Sequence, residues 1–277
     1  MEVSLSEKVQ AMTRKTKMIT GGIAILLIVI IVIIAVATTG YCEDGNSPSG
    51  TPGLRRQPDQ SDDFACSSLI QYNYEEELDT DTIQGYAGWV ERYGQFLKKY
   101  EDQSQADVDC RTENRASNNK ICKFDLSTLG NCGKGKYGYD KGNPCIILEL
   151  NKIYGFEPIP YSYATEGHGM SAELVEHIRK QVDKNQVWVE CYGKNENDKE
   201  ALRGKIEYFP KSQGFPNYYF PYLDQNDYKS PLVAVQFKGI QKNLLIQIEC
   251  RAFAKNIFFD QSNLIGINRF ALHVLSH

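Results

Sequence analysis

LLIQIECRAF, residues 244–253, alternates after its first leucine. Ile246, Ile248, Cys250 and Ala252 fall on one side; Leu245, Gln247, Glu249 and Arg251 fall on the other. Successive side chains of a strand point to opposite faces, so the pattern predicts a β-strand with one face in a core. VWVECY (187–192) alternates in the same way and also carries a cysteine. Further strand patterns lie at CIILELNKI (145–153), KIEYF (205–209), LVAVQF (232–237) and FALHVLSH (270–277), separated by Gly and Pro turns. A bridge between Cys191 and Cys250 would staple two strands far apart in sequence, as in an immunoglobulin-type sandwich. The expected fold is therefore a mainly-β sandwich with accessory helices.

Two segments have helical period instead. Over 82–100, Ile83, Tyr86, Val90, Tyr93, Leu97 and Tyr100 recur at spacings of three and four, with Asp81 as N-cap. Over 171–184, Leu174, Ile178 and Val182 do the same behind Ser171 and Glu173. No internal repeat of fixed period is visible.

Upstream, the character of the chain changes. Residues 18–41, MITGGIAILLIVIIVIIAVATTGY, carry no charge. About 20 such residues cross a bilayer as a helix. Lys8, Arg14, Lys15 and Lys17 precede the span, whereas Glu43 and Asp44 follow it. The basic flank stays on the cytoplasmic side, which predicts a single pass with the N-terminus inside. Ala35-Val36-Ala37 also has the form of a signal-peptide cleavage site, although the apolar run exceeds the usual about 7–15 residues. Both readings export the remainder. The expected organisation is a cytoplasmic tail (1–17), a transmembrane signal anchor (18–41), a Gly/Pro/Ser-rich stalk (42–64) and an extracellular domain (65–277).

Cysteine usage agrees with export. All eight cysteines, at 42, 66, 110, 122, 132, 145, 191 and 250, lie beyond the span. An even number in an oxidising compartment predicts disulfides, but their spacing alone does not pair them. No C-x-x-C occurs, and no histidine stands at zinc-ligand spacing from a cysteine pair, so neither a metal nor a cofactor is expected. A net charge of −4 without long Lys/Arg runs gives no sign of nucleic-acid binding.

The chain lacks G-x-S-x-G, Walker A, H-E-x-x-H and G-x-G-x-x-G motifs. Gly133-Lys134-Gly135-Lys136-Tyr137-Gly138 is basic and glycine-rich, but it lies between Cys132 and Cys145, where a tight turn is expected. Glu75-Glu76-Glu77 lacks the spacing of a calcium loop and suits a solvated face. The four histidines, His168, His177, His273 and His277, are scattered. No catalytic role is expected.

Five ordered stretches, CKFDLSTLGNC (122–132), YGYDKGNPCIILELNKIYGFEP (137–158), VECYGKNENDKEALRGKIEYFP (189–210), GFPNYYFPYLDQNDYKSPLVAVQF (214–237) and IQIECRAFAKNI (246–257), together resemble the β subunits of the Na,K-ATPase and H,K-ATPase pumps. The resemblance runs from about residue 82 to the end. It implies a short cytoplasmic tail, one membrane helix and an immunoglobulin-like ectodomain, in a type II protein of the plasma membrane with an extracellular C-terminus. It implies disulfides pairing Cys110 with Cys122, Cys132 with Cys145, and Cys191 with Cys250. It also implies a non-catalytic subunit that assists the folding, export and cation affinity of a catalytic α subunit. The aromatic loop Tyr218, Tyr219, Phe220, Pro221 and Tyr222 is similar to the family stretch that touches that subunit. The other function expected of such a chain is pump-independent adhesion at a cell surface or junction.

Overall fold

The computed structural model describes residues 50–58, 68–80, 84–101, 107–111, 121–161, 169–202 and 206–277. The tail and span expected over 1–41, Cys42, Cys66 and His168 lie outside them, as does most of the expected stalk. Among the described residues no helix is long and apolar enough to cross a membrane. These residues belong to one compact unit, Asp44–Asp59 with Ser67–His277.

Two sheets dominate it. The first has the order β1-β5-β9-β7, built from β1 (Leu54–Gln57), β5 (Cys145–Leu150), β9 (Val233–Phe237) and β7 (Ile206–Phe209), all antiparallel. The second has the order β2-β11-β10-β6-β8. Its members are β2 (Leu69–Asn73), β11 (Ile267–Leu275), β10 (Leu245–Phe253), β6 (Gln186–Gly193) and β8 (Gly214–Pro216). Only β2 and β11 run parallel in it. A short parallel pair, β3 (Asp107–Val108) with β4 (Ile121–Cys122), stands apart.

The alternation of β10 is realised except at one position: Ile246, Ile248, Cys250 and Ala252 are buried, Leu245 is exposed and Gln247 and Arg251 are half-buried, whereas Glu249 of the outer set is buried beneath Arg251 and Arg269. Both sheets feed one core, with Phe237 of β9 meeting Phe270 of β11 edge-on at 6.1 Å. Burying such a side chain is worth about 1.5–3 kcal/mol. In β5 and β9 every residue is buried, so both faces of these strands are covered.

Three helices accompany the sheets: α1 (Ala87–Glu101), α2 (Ala172–Lys180) and α3 (Glu196–Ala201). Trp89 of α1 donates from Nε1 to the Gln71 carbonyl at 2.9 Å. Tyr93 and Tyr100 donate to the carbonyls of Cys132 and Ser230. Helix α2 forms a satellite core in which Leu174 and Ile178 pack with Trp188 and Phe253.

Several boundaries differ from expectation. α1 begins at Ala87 rather than at 82. Gly85 donates its N–H to Asp79 Oδ1, and a Cβ there would sit 2.6 Å from the Leu78 carbonyl oxygen, so Gly85 packs on the backbone of 78–79 and is not helical. α2 stops at Lys180 because Gln181 is extended (ψ 135), which leaves Val182 in solvent. β5 stops at Leu150, since Asn151 turns its side chain to the Gly53 N–H and the Thr51 carbonyl. The stalk reading of 42–64 is corrected too: within it, Leu54 to Gln57 are a sheet strand, paired residue by residue with Leu150 to Ile147. A Gly/Pro-rich neighbourhood hid a strand of four residues.

Among the described residues three disulfides form: Cys110–Cys122, Cys132–Cys145 and Cys191–Cys250. The last does not join two sheets as in an immunoglobulin-type sandwich. Cys191 and Cys250 are directly opposed on β6 and β10 of one sheet, with Cα atoms 4.0 Å apart. Antiparallel neighbours at a non-hydrogen-bonded position approach closely enough for that bond. One polar link between the sheets is Tyr208 of β7. Its hydroxyl accepts from the Cys191 N–H at 2.8 Å and donates to the Cys191 carbonyl at 3.4 Å, serving backbone that β8 is too short to pair.

Candidate partner interface

The loop after β8 begins with one 3₁₀ turn, Asn217–Tyr219. Its rings divide. Tyr219 and Phe220 are buried (4% and 7% exposed) within the main core. The Tyr219 hydroxyl donates to the Lys123 carbonyl at 2.9 Å, and its own carbonyl accepts from the Tyr228 hydroxyl at 3.1 Å. Burial pushes both of these phenols far above their usual range, so they act as donors at any physiological pH. Tyr218, Pro221 and Tyr222 stay half-exposed. The expectation of a partner contact is therefore corrected for Tyr219 and Phe220, whose side chains are spent on the chain's own core.

Beside Tyr218 opens a cleft of about 410 Å³, lined among others by Arg111, Lys123, Asp125, Asp183 and Pro216. Beside Tyr222 runs a strap, residues 152–159. Tyr154 forms a parallel bridge with Tyr222, and the Gly155 N–H donates to the Tyr222 carbonyl at 2.8 Å. Asn217 Nδ2 donates to the Pro158 carbonyl at 3.1 Å. At the far end the Lys255 N–H donates to the Ile159 carbonyl, and Asn256 Oδ1 accepts from the Ile159 N–H. The backbone is tied down at these points while two of its large side chains face out, Tyr154 at 58% exposed and Ile159 at 52%, beside Phe258 at 75%; Phe156 packs on the main core. A fixed backbone carrying exposed apolar side chains suits a partner surface.

Sequence reasoning missed this strap. Pro158 and Pro160 bar a continuing ladder, yet Tyr154, Phe156 and Ile159 keep it apolar. Apolar residues in a segment that cannot be a strand were the available signal.

The remaining candidate groups are occupied structurally. Glu77 pairs with Lys136 at 2.9 Å, Glu76 lies 3.0 Å from His277 Nε2, and Glu75 accepts the His277 N–H. In the glycine-rich turn, Tyr137 stacks on Tyr93 with centroids 4.1 Å apart. His177 Nε2 lies 3.2 Å from the Ser212 carbonyl oxygen, edge-on to Trp188. Among the described residues no three His, Cys, Asp or Glu side chains converge on a point that could hold a metal.

Comparison with known proteins gives one answer. The family described as sodium / potassium ATPase beta chain matches residues 17–270. The chain is 38% identical over 215 residues to sodium/potassium-transporting ATPase subunit beta-1 of Drosophila melanogaster, covering 76% of this chain and 66% of that one. It is 34% identical over 234 residues to subunit beta-2 of the same organism (80% and 70% covered), and 29% identical over 246 residues to subunit beta-1 of Tetronarce californica (80% and 74%). The chain thus spans about two thirds of the length of these relatives.

Proposed function

The chain belongs to the sodium/potassium ATPase beta-chain family, which makes it a non-catalytic β subunit, and from that premise we infer that it escorts and tunes the catalytic α subunit of a cation pump. It assists the folding and export of that subunit and adjusts its cation affinity from outside. The sodium/potassium-transporting pump is the partner that the named relatives favour over a proton pump. The apolar run at 18–41 anchors the protein in the plasma membrane with its C-terminal domain outside, which agrees with cysteines confined to the region beyond it. Two sheets over one core support an immunoglobulin-like sandwich, with the in-sheet disulfide and the parallel β2–β11 pair as departures.

The observation that carries the reading is the fixed aromatic face: Tyr218, Pro221 and Tyr222 of the loop, extended by Tyr154, Ile159 and Phe258. Tyrosine suits such a face because it offers a rigid ring and a hydroxyl at small entropic cost. The test is purification of the tagged full chain in mild detergent. A catalytic P-type ATPase chain recovered in near-equal amount supports the reading. Its absence from protein mature at the cell surface would sink it.

A further inference from the structure

At one edge of the aromatic face the charges do not balance. Lys152 lies between two rings, its Nζ 5.6 Å from the Tyr222 centroid and 5.7 Å from that of Tyr228, whose rings are themselves 5.0 Å apart. Lys99, near the end of α1, has its Nζ 3.9 Å over Phe96 and 5.1 Å over Tyr100. Arg55 of β1 stands directly across from Glu149 of β5. Glu149 is only 4% exposed; it faces Arg55 across the strand pair and its charge acts on Lys99. Lys99 shows the crowding. Desolvation against the rings lowers its pKa, and Lys152 and Arg55 lower it further, opposed by Glu149. Asp224 is a second acid beside the cage, held by the Tyr222 hydroxyl at 2.8 Å. Among these described residues, Lys152, Lys99 and Arg55 outnumber Glu149 and Asp224 by one charge.

We propose that Lys152, caged by Tyr222 and Tyr228, is the charged centre of the partner face and receives an acidic side chain from an extracellular segment of the catalytic subunit. This deepens the pump-subunit reading and rests on it. The chemistry follows from the surroundings. Cations held close on aromatic rings keep their field because little water screens them. An arriving carboxylate relieves their mutual repulsion, and the half-exposed Tyr222 ring over buried Tyr228 excludes solvent from the new pair. Close interfacial charge pairs of this kind contribute measurable coupling, whereas exposed ones contribute little. The adjoining Tyr154 and Ile159 supply the apolar contact that a lone cation lacks.

The experiment co-expresses the tagged full chain with the sodium/potassium ATPase catalytic chain of the same source and measures catalytic chain recovered per tagged chain in mild detergent. Lys152→Glu should cut recovery about tenfold or more, while Lys152→Arg, which keeps charge and ring contact, should stay within about twofold. Recovery of the unsubstituted chain should fall as salt rises from about 0.05 to 0.5 M. Limited proteolysis reports folding. Should Lys152→Glu prove protease-sensitive, Arg55→Gln decides, with an expected loss of about two- to threefold. Equal recovery of the Glu and Arg variants, or salt-independent recovery, overturns the proposal and leaves the pump-subunit reading standing. Normal recovery of Lys152→Glu combined with lost binding of the full chain to phosphatidylserine vesicles also overturns it, assigning the cations to lipid headgroups. No catalytic chain recovered by the unsubstituted protein sinks the underlying reading instead.

Discussion

The β6–β10 pair and the aromatic loop at 217–222 solve the same problem in opposite ways. In β6–β10 the two strands keep one register from Ile248 to Phe253, most backbone groups bond to a neighbouring strand, and the side chains are free to alternate. In the aromatic loop little ladder exists, so tyrosine hydroxyls take over the carbonyls: Tyr219 serves Lys123, Tyr228 serves Tyr219 and Tyr100 serves Ser230. A buried carbonyl without a partner is costly, and a phenol reaches where no strand does. The lesson is that this chain uses tyrosine as mortar between irregular segments, and only some of its rings are left over for a partner.

The sharpest challenge to the comparison removes the covalent member of the regular region. Cys250→Ser opens a loop of 59 residues, which in the chain-entropy model costs about 4 kcal/mol. Denaturant unfolding of the full chain in detergent should show that loss together with poor surface delivery. Unchanged stability would mean that the ladder alone holds the sheet.

Next comes the loop's buried ring. Phe220→Ala should cost about 3 kcal/mol, because the surrounding core collapses only partly around the space left behind. An effect under about 0.5 kcal/mol would place that ring on the surface and undo the division drawn among the loop's aromatics. Tyr219→Phe isolates the mortar itself. It keeps the ring, strands the Lys123 carbonyl, and should cost about 1 kcal/mol by the same unfolding measurement. A neutral result would mean that water replaces the hydroxyl and that the loop needs no such ties.

The regular region is also sensitive to acid. Burial alone would raise the Glu249 carboxyl, but hydrogen bonds from Tyr192, Arg269 and Arg251 outweigh it and hold the group below its usual range. A carboxyl depressed in the folded state stabilises it above the unfolded pKa of about 4.3 and loses that contribution as pH falls through the folded value. The stability gap between the native chain and Glu249→Gln should therefore be full at neutral pH and shrink below about pH 4.3. A gap independent of pH would deny Glu249 its charge. The smallest effect on stability is expected at Tyr222. Tyr222→Ala should change stability by no more than about 0.5 kcal/mol while lowering recovery of the catalytic chain. A large loss of stability would make Tyr222 another core ring.

What could be read without coordinates follows this division. Alternation announced β6 and β10, and helical spacing announced α1 and α2, because those elements hold a regular backbone geometry along their length and the side-chain period follows it. Five ordered stretches were enough to point to the family. Three matters were decided only by tertiary contact. The first is β1, a strand of four residues whose pattern is too short to stand out and whose pairing with β5 closes across a long stretch of chain. The second is the sheet that holds Cys191–Cys250, since a strand's own period is silent about which strand lies beside it. The third is the fate of Tyr218 to Tyr222. Five neighbours of like composition separate into core and surface because the carbonyl of Lys123, the hydroxyl and ring of Tyr228 and the ring of Phe124 arrive from outside the loop. Local sequence sets what a residue is able to bury, and the distant segments that meet it decide whether it does.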